Sequence, residues 1–125
     1  MRCADVMTRD VATARAGDDA ATASRIMKRR GVPFLPVCDA AGAVVGFVTE
    51  QHITRVAVSE GVGPSTPIES VMGRDVCICA VDDDALVAAR AIRAHPGRCA
   101  VCVGPNGEPV GVIGISDLAR AGIDT

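Results

Sequence analysis

The sequence contains no tryptophan and no tyrosine, and its aromatic residues are Phe34 and Phe47 alone. A core built without large rings must come from Val, Ala, Ile, Leu, Cys and Met, which suits closely layered helices and sheet. A cationic surplus is missing as well. The 13 Lys and Arg stand against 15 Asp and Glu, a net charge of −2, so little would neutralise a phosphate backbone and nucleic acid is not an expected partner. No apolar run approaches the roughly 20 residues that span a bilayer, and Met1-Arg2-Cys3-Ala4-Asp5 does not open a signal peptide. The expectation is a cytoplasmic protein without a membrane partner, its six cysteines reduced and not paired in disulfides. No nucleophile elbow, phosphate loop or spaced set of metal ligands is present, so the chain reads as no enzyme.

What is present is a duplication. The length of 125 residues is that of one ordinary domain, able to bury a core without staples. Asp5-Val-Met-Thr-Arg-Asp-Val11 is matched 65 residues later by Ser70-Val-Met-Gly-Arg-Asp-Val76. At the same offset Asp18-Asp19-Ala20 falls on Asp83-Asp84-Ala85, Gly42 on Gly107, Gly46 on Gly111 and Arg55 on Arg120. So long a period, occurring twice, means two modules and not a short-repeat solenoid.

Each module reads as β-α-β-β-α, an α/β class. Residues 11–14 and 76–79 are short apolar segments with strand composition. The acids at 18–19 and 82–84 can cap helix starts, and residues 20–30 and 85–93 carry helical composition with cations in the last turn. Lys28-Arg29-Arg30 and His95 are read as complements to helix dipoles. Second strands are expected over 34–38 and 99–103, and third strands over 44–49 and 110–115. Glycine-bearing turns at 39–42 and 105–107 join them. Final helices begin near Thr49 and Ser116, and short helical lead-ins are expected at 4–7 and 68–72. Residues 1–60 form the first repeat, 61–67 a linker and 68–125 the second.

The cysteine spacings invite two further readings. Cys99-Ala-Val-Cys102 lies within an expected strand, whereas a redox pair needs its first thiol at a helix N-terminus. A zinc site would need Cys77, Cys79, Cys99 and Cys102 to converge, yet strand alternation sends Cys99 and Cys102 to opposite faces. The sequence reading therefore assigns no metal.

Taken together, these residues resemble tandem cystathionine-β-synthase (CBS) domains, a Bateman module. The resemblance rests on Val6-Met7-Thr8-x-x-Val11, Leu35-Pro36-Val37-x-Asp39, Gly42 and Gly46-Phe47-Val48-Thr49 in the first copy. In the second it rests on Val71-Met72-x-x-x-Val76, Asn106-Gly107 and Val110-Gly111-Val112-Ile113-x-x-Ser116-Asp117-Leu118. It implies two repeats about a pseudo-twofold axis with two clefts between them, and regulatory binding of AMP, ADP, ATP or S-adenosylmethionine. The family's ribose–phosphate motif is Gly-h-h-Thr/Ser-x-x-Asp, with h apolar. A carboxylate there accepts from both ribose hydroxyls, and a hydroxyl at the helix start donates to phosphate.

Each copy departs from that motif. Gly46-Phe-Val-Thr49-Glu-Gln-His52 keeps the hydroxyl but places an imidazole where the carboxylate belongs. Gly111-Val-Ile-Gly114-Ile-Ser116-Asp117 keeps the carboxylate and lacks the first hydroxyl, with Ser116 beside it as a substitute. The resemblance implies a main cleft of Val11, Ala12, Val32, Pro33, Arg98, Gly111, Ser116 and Asp117. It implies a second, poorer cleft of Gly46, Thr49, His52, Val76 and Cys77. It also implies a homodimer paired through helices, for which Leu86, Ala89 and Ile92, or Ile53 and Val56, offer apolar faces. The alternative reading makes Thr49, Ser116 and Asp117 helix caps and the whole chain a dimerisation or scaffold module.

Overall fold

The acidic residues decide where the two long helices start. In the computed structural model, Asp19 is the N-cap of α2 (Ala20–Arg30) and accepts from the Thr22 N–H, and Asp84 caps α4 (Ala85–Ala94) through the Leu86 N–H. Asp18 and Asp83, one residue earlier, accept from the Arg15 and Ala80 N–H groups and so close the turns that lead into those caps. Gly31 ends α2 at φ 64°, the left-handed conformation that glycine adopts without a Cβ penalty. The structure describes residues 1–60 and 63–123, and of 56–60 the backbone alone.

The chain forms two compact units: Ala12–Asp75, and Met1–Val11 together with Val76–Thr125. In the first, β1 (Ala14–Arg15) runs parallel to β2 (Phe34–Cys38), which pairs antiparallel with β3 (Val44–Thr49). Helix α3 (Glu50–Glu60) follows, and a 3-10 turn spans Ile68–Ser70. Ala23 and Met27 of α2 close over Leu35, Val37 and Val48, with Ile68 and Val71 completing this core. The carbonyls of Pro64 and Thr66 accept from the Ala21 and Ala20 N–H groups at 3.0 and 2.8 Å, so two residues of the expected linker satisfy first-turn amides of α2. Gly61 and Val62, the rest of its start, lie outside the described residues.

The second unit repeats the pattern with β4 (Ile78–Ala80), β5 (Cys99–Val103), β6 (Pro109–Gly114) and α5 (Ile115–Arg120). Its lead-in is α1 (Cys3–Val6), from which the Cys3 and Ala4 N–H groups donate to the carbonyls of Asp83 and Val81. Residues 1–11 thus pack with residues 76–125, although the duplication assigns them to the first repeat. In each unit the lead-in pairs with the third strand, through Thr8 and Val112 in one and Gly73 and Phe47 in the other. The glycine before each pairing site is required by contact. A Cβ on Gly111 would stand 2.6 Å from Met7 Sδ and 2.9 Å from the Thr8 carbonyl oxygen, and one on Gly46 would stand 2.6 Å from that of Gly73.

Four starts differ from expectation. The first strands begin later, at Ala14 and Ile78, and β6 and α5 each start one residue earlier. The difference in length between the two first strands has its reason at Pro36. Its counterpart Val101 donates its N–H to the Cys77 carbonyl, which extends β4 to three residues. Proline has no N–H to offer, so β1 pairs only from Ala14 opposite Val37 and stops at two.

Candidate functional site

The join of β6 and α5 places Asp117 in the third helical position, where its carboxylate turns back over the helix start. Oδ2 accepts from the Gly114 N–H at 2.8 Å, Oδ1 accepts from the Thr8 hydroxyl at 2.7 Å, and the Arg120 guanidinium lies 3.3 Å from Oδ1. Among the described residues Asp117 is the buried charged side chain, 7% exposed. Three donors offset the desolvation of that charge, and lone pairs remain for further donors. Ser116 beside it is exposed. Arg98, immediately before β5, holds a left-handed φ of 53° with an exposed side chain that has no partner among the described residues. A side chain rarely adopts that backbone region unless something requires it.

The join of β3 and α3 solves the same problem with other residues. Thr49 Oγ1 accepts from the His52 N–H at 3.1 Å, and His52 Nδ1 accepts from the Thr49 N–H at 3.2 Å, a reciprocal cap. The imidazole packs edgewise on Phe47 with centroids 5.0 Å apart. An accepting Nδ1 means a neutral ring with its proton on Nε2. Burial, and secondarily the Arg55 charge, push the His52 pKa below its ordinary value, in agreement with a neutral ring.

Lead-in and join co-vary between the two copies. Thr8 meets Asp117, while Gly73 stands where Thr8 would be and a Cβ there would come within 3.1 Å of His52 Cε1. Hydroxyl with carboxylate is exchanged for glycine with imidazole. Thr8 and Arg120 are the partners that the sequence reading left out. The paired replacement of Thr8 by Gly73 and of Asp117 by His52 becomes a signal only once each lead-in is known to pack on the other copy's third strand.

The remaining candidates divide between units. Val11, Arg98, Gly111, Ser116, Asp117, Val76 and Cys77 belong to one, and Ala12, Val32, Pro33, Gly46, Thr49 and His52 to the other. Leu86 is exposed, whereas Ala89 and Ile92 are buried in the core of their own unit; the Val56 side chain lies outside the described residues. A cavity of about 280 Å³ in the unit 12–75, lined by Ala20, Ala21, Ser24, Ile53, Pro64 and Val71 among others, contains none of the expected site residues. Among the described residues, all six cysteines are free and no helix is long and apolar enough to cross a membrane.

Comparison with known proteins identifies the architecture. The model of the CBS domain family matches twice, over residues 3–59 and 68–124. A homoserine O-acetyltransferase of Methanococcoides burtonii is 31% identical over 94% of this chain, and an uncharacterised 17.7 kDa protein of Acidianus ambivalens is 31% identical over 83%. The chain spans only 23% of the first and 62% of the second, so the acetyltransferase activity does not carry over to it. CBSX2 of Arabidopsis thaliana, a CBS-pair protein also solved in complex with AMP, shares the fold with a TM-score of 0.82 at 18% identity, covering 98% of this chain and 94–96% of CBSX2. Two family matches in tandem, on a fold shared with solved CBS pairs, make this chain a member of the CBS domain family.

Proposed function

We propose that the chain is a regulatory module that binds an adenosine-containing ligand, and that Asp117 anchors the ribose. The observation that carries this reading is the buried Asp117 carboxylate, held at a strand-to-helix join with acceptor capacity left over. Ser116 and Arg98, whose side chain has no partner among the described residues, are suited to phosphate, whereas the open side of Gly111 is taken up by Met7 and Thr8. Val11, Ala12, Val32 and Pro33 are the residues that the family resemblance adds to this proposal for the base. The poorer site of Gly46, Thr49, His52, Val76 and Cys77 lacks a ribose carboxylate, and its Thr49 hydroxyl is committed to a cap. AMP bound to CBSX2 supports a mononucleotide as the ligand, with ADP, ATP and S-adenosylmethionine as candidates of the same class. Six free cysteines suit a reducing cytoplasm. Occupancy would shift a conformational equilibrium that a homodimer or a protein partner reads out. No catalytic step is assigned.

One observation favours the alternative of a non-binding scaffold: both Asp117 oxygens already serve protein donors. Isothermal titration with the four ligands separates the two readings, using Asp117→Asn and Arg98→Gly in parallel. Arg98→Gly relieves a left-handed arginine and so should leave the fold at least as stable. Saturable binding weakened tenfold or more in both variants supports the sensor. A folded protein that takes up no ligand at millimolar concentration is a scaffold.

A further inference from the structure

Three cysteines from three separate elements meet in the unit built on β4–β6. Cys3 lies on α1, Cys79 on β4 and Cys102 on β5, and their sulfur atoms all lie within 4.8 Å of one another. Cys79 and Cys102 are register partners on parallel strands, with sulfurs 3.2 Å apart. Cys3 reaches them because the Asp83 and Val81 carbonyls hold α1 against the turn before α4. All three are buried, among Val6, Ala88, Ile92, Ile113 and Leu118.

We propose that Cys3, Cys79 and Cys102 form a three-thiolate site for a soft, thiophilic d10 cation, and that copper(I) is the cellular ion it fits. A cation with bonds of about 2.3 Å to each of three sulfurs requires a triangle with edges of about 4.0 Å. The present sulfurs reach that triangle if the 3.2 Å pair opens and the cluster, nowhere wider than 4.8 Å, closes slightly. Among the described residues no histidine or carboxylate joins the cluster. Tetrahedral zinc therefore lacks its fourth donor, whereas an all-sulfur, three-coordinate, dry site selects copper(I). Cys38 belongs to the other unit, and Cys77 and Cys99 lie near each other outside the cluster.

Each copper–sulfur bond displaces the proton of the thiol that forms it, so protons leave the site as the cation binds.

The test is anaerobic titration of the reduced protein with copper(I) presented as its bicinchoninate complex. Transfer of one equivalent to the protein, with sulfur alone in the X-ray absorption first shell, is the expected result. Cys3→Ser and Cys102→Ser should each lower retention at least tenfold, and Cys38→Ser should leave it unchanged. Should a serine variant fail to fold, alkylation rates of the unsubstituted protein with and without copper give the answer, since bound copper should slow the reaction of Cys3, Cys79 and Cys102 further and leave the rates of the other three unchanged. No transfer from bicinchoninate, retention that survives loss of these thiols, or zinc held in preference with nitrogen or oxygen ligands overturns the proposal and leaves the cluster as apolar packing.

Discussion

At the scale of single residues, one imidazole carries a structural role that depends on its charge. His52 accepts a hydrogen bond at Nδ1, which protonation would abolish. Its folded pKa is lowered from the ordinary 6.5 by burial and then by Arg55. The neutral ring's contribution to stability is therefore complete above the unfolded value and is lost as the pH falls through the folded one. Denaturant melts of the wild-type chain between pH 7.5 and pH 5 should show this decline. In His52→Gln, which retains an acceptor suited to a reciprocal cap but does not titrate, that part of the decline should vanish. An unchanged slope in the variant would assign the pH dependence elsewhere.

At the scale of elements, the third strand of each unit is sealed by a lead-in that runs over a glycine. Gly111→Ala puts a methyl group against Met7 Sδ and the Thr8 carbonyl oxygen. Overpacking of this kind costs about 1–3 kcal/mol, measurable as a lower denaturation midpoint with an unchanged m-value. Gly17→Ala, which meets nothing within 4 Å, is the matched control. Most elements were legible in the sequence because their signals are local: Asp19 and Asp84 as caps, Gly31 as a stop, and strand composition at Phe34–Cys38. The limits of β1 and β4 were not, because they depend on whether the partner strand carries an N–H at Pro36 or Val101. The join residues were legible as a duplicated motif. The partnership of Thr8 with Asp117 was not, since 109 residues separate them and only the pairing of α1's exit with β6 brings them together. The meeting of Cys3 with Cys79 and Cys102 escaped notice for the same reason.

At the scale of the whole molecule, the chain is duplicated in one way and partitioned in another. Unit 12–75 is continuous, whereas the other joins residues 1–11 to 76–125. Removing residues 1–11 should expose the Val112 N–H and carbonyl on β6 and strip α1 from its core, while every residue of the unit 12–75 is retained. Amide hydrogen exchange of the shortened chain should then show lost protection across β4–β6 and preserved protection across β2 and β3. Uniform loss across both sheets would mean that the units do not hold their structure independently. The discontinuous partition also has a consequence during synthesis. Residues 1–11 leave the ribosome about a hundred residues before the strand they must pair with. The continuous unit has all its contacts available once residue 75 has emerged, whereas the other closes a loop of about a hundred residues, a slow and entropically costly event. Until then α1 and its cysteine lie open to solvent, so this helix is made long before it is protected.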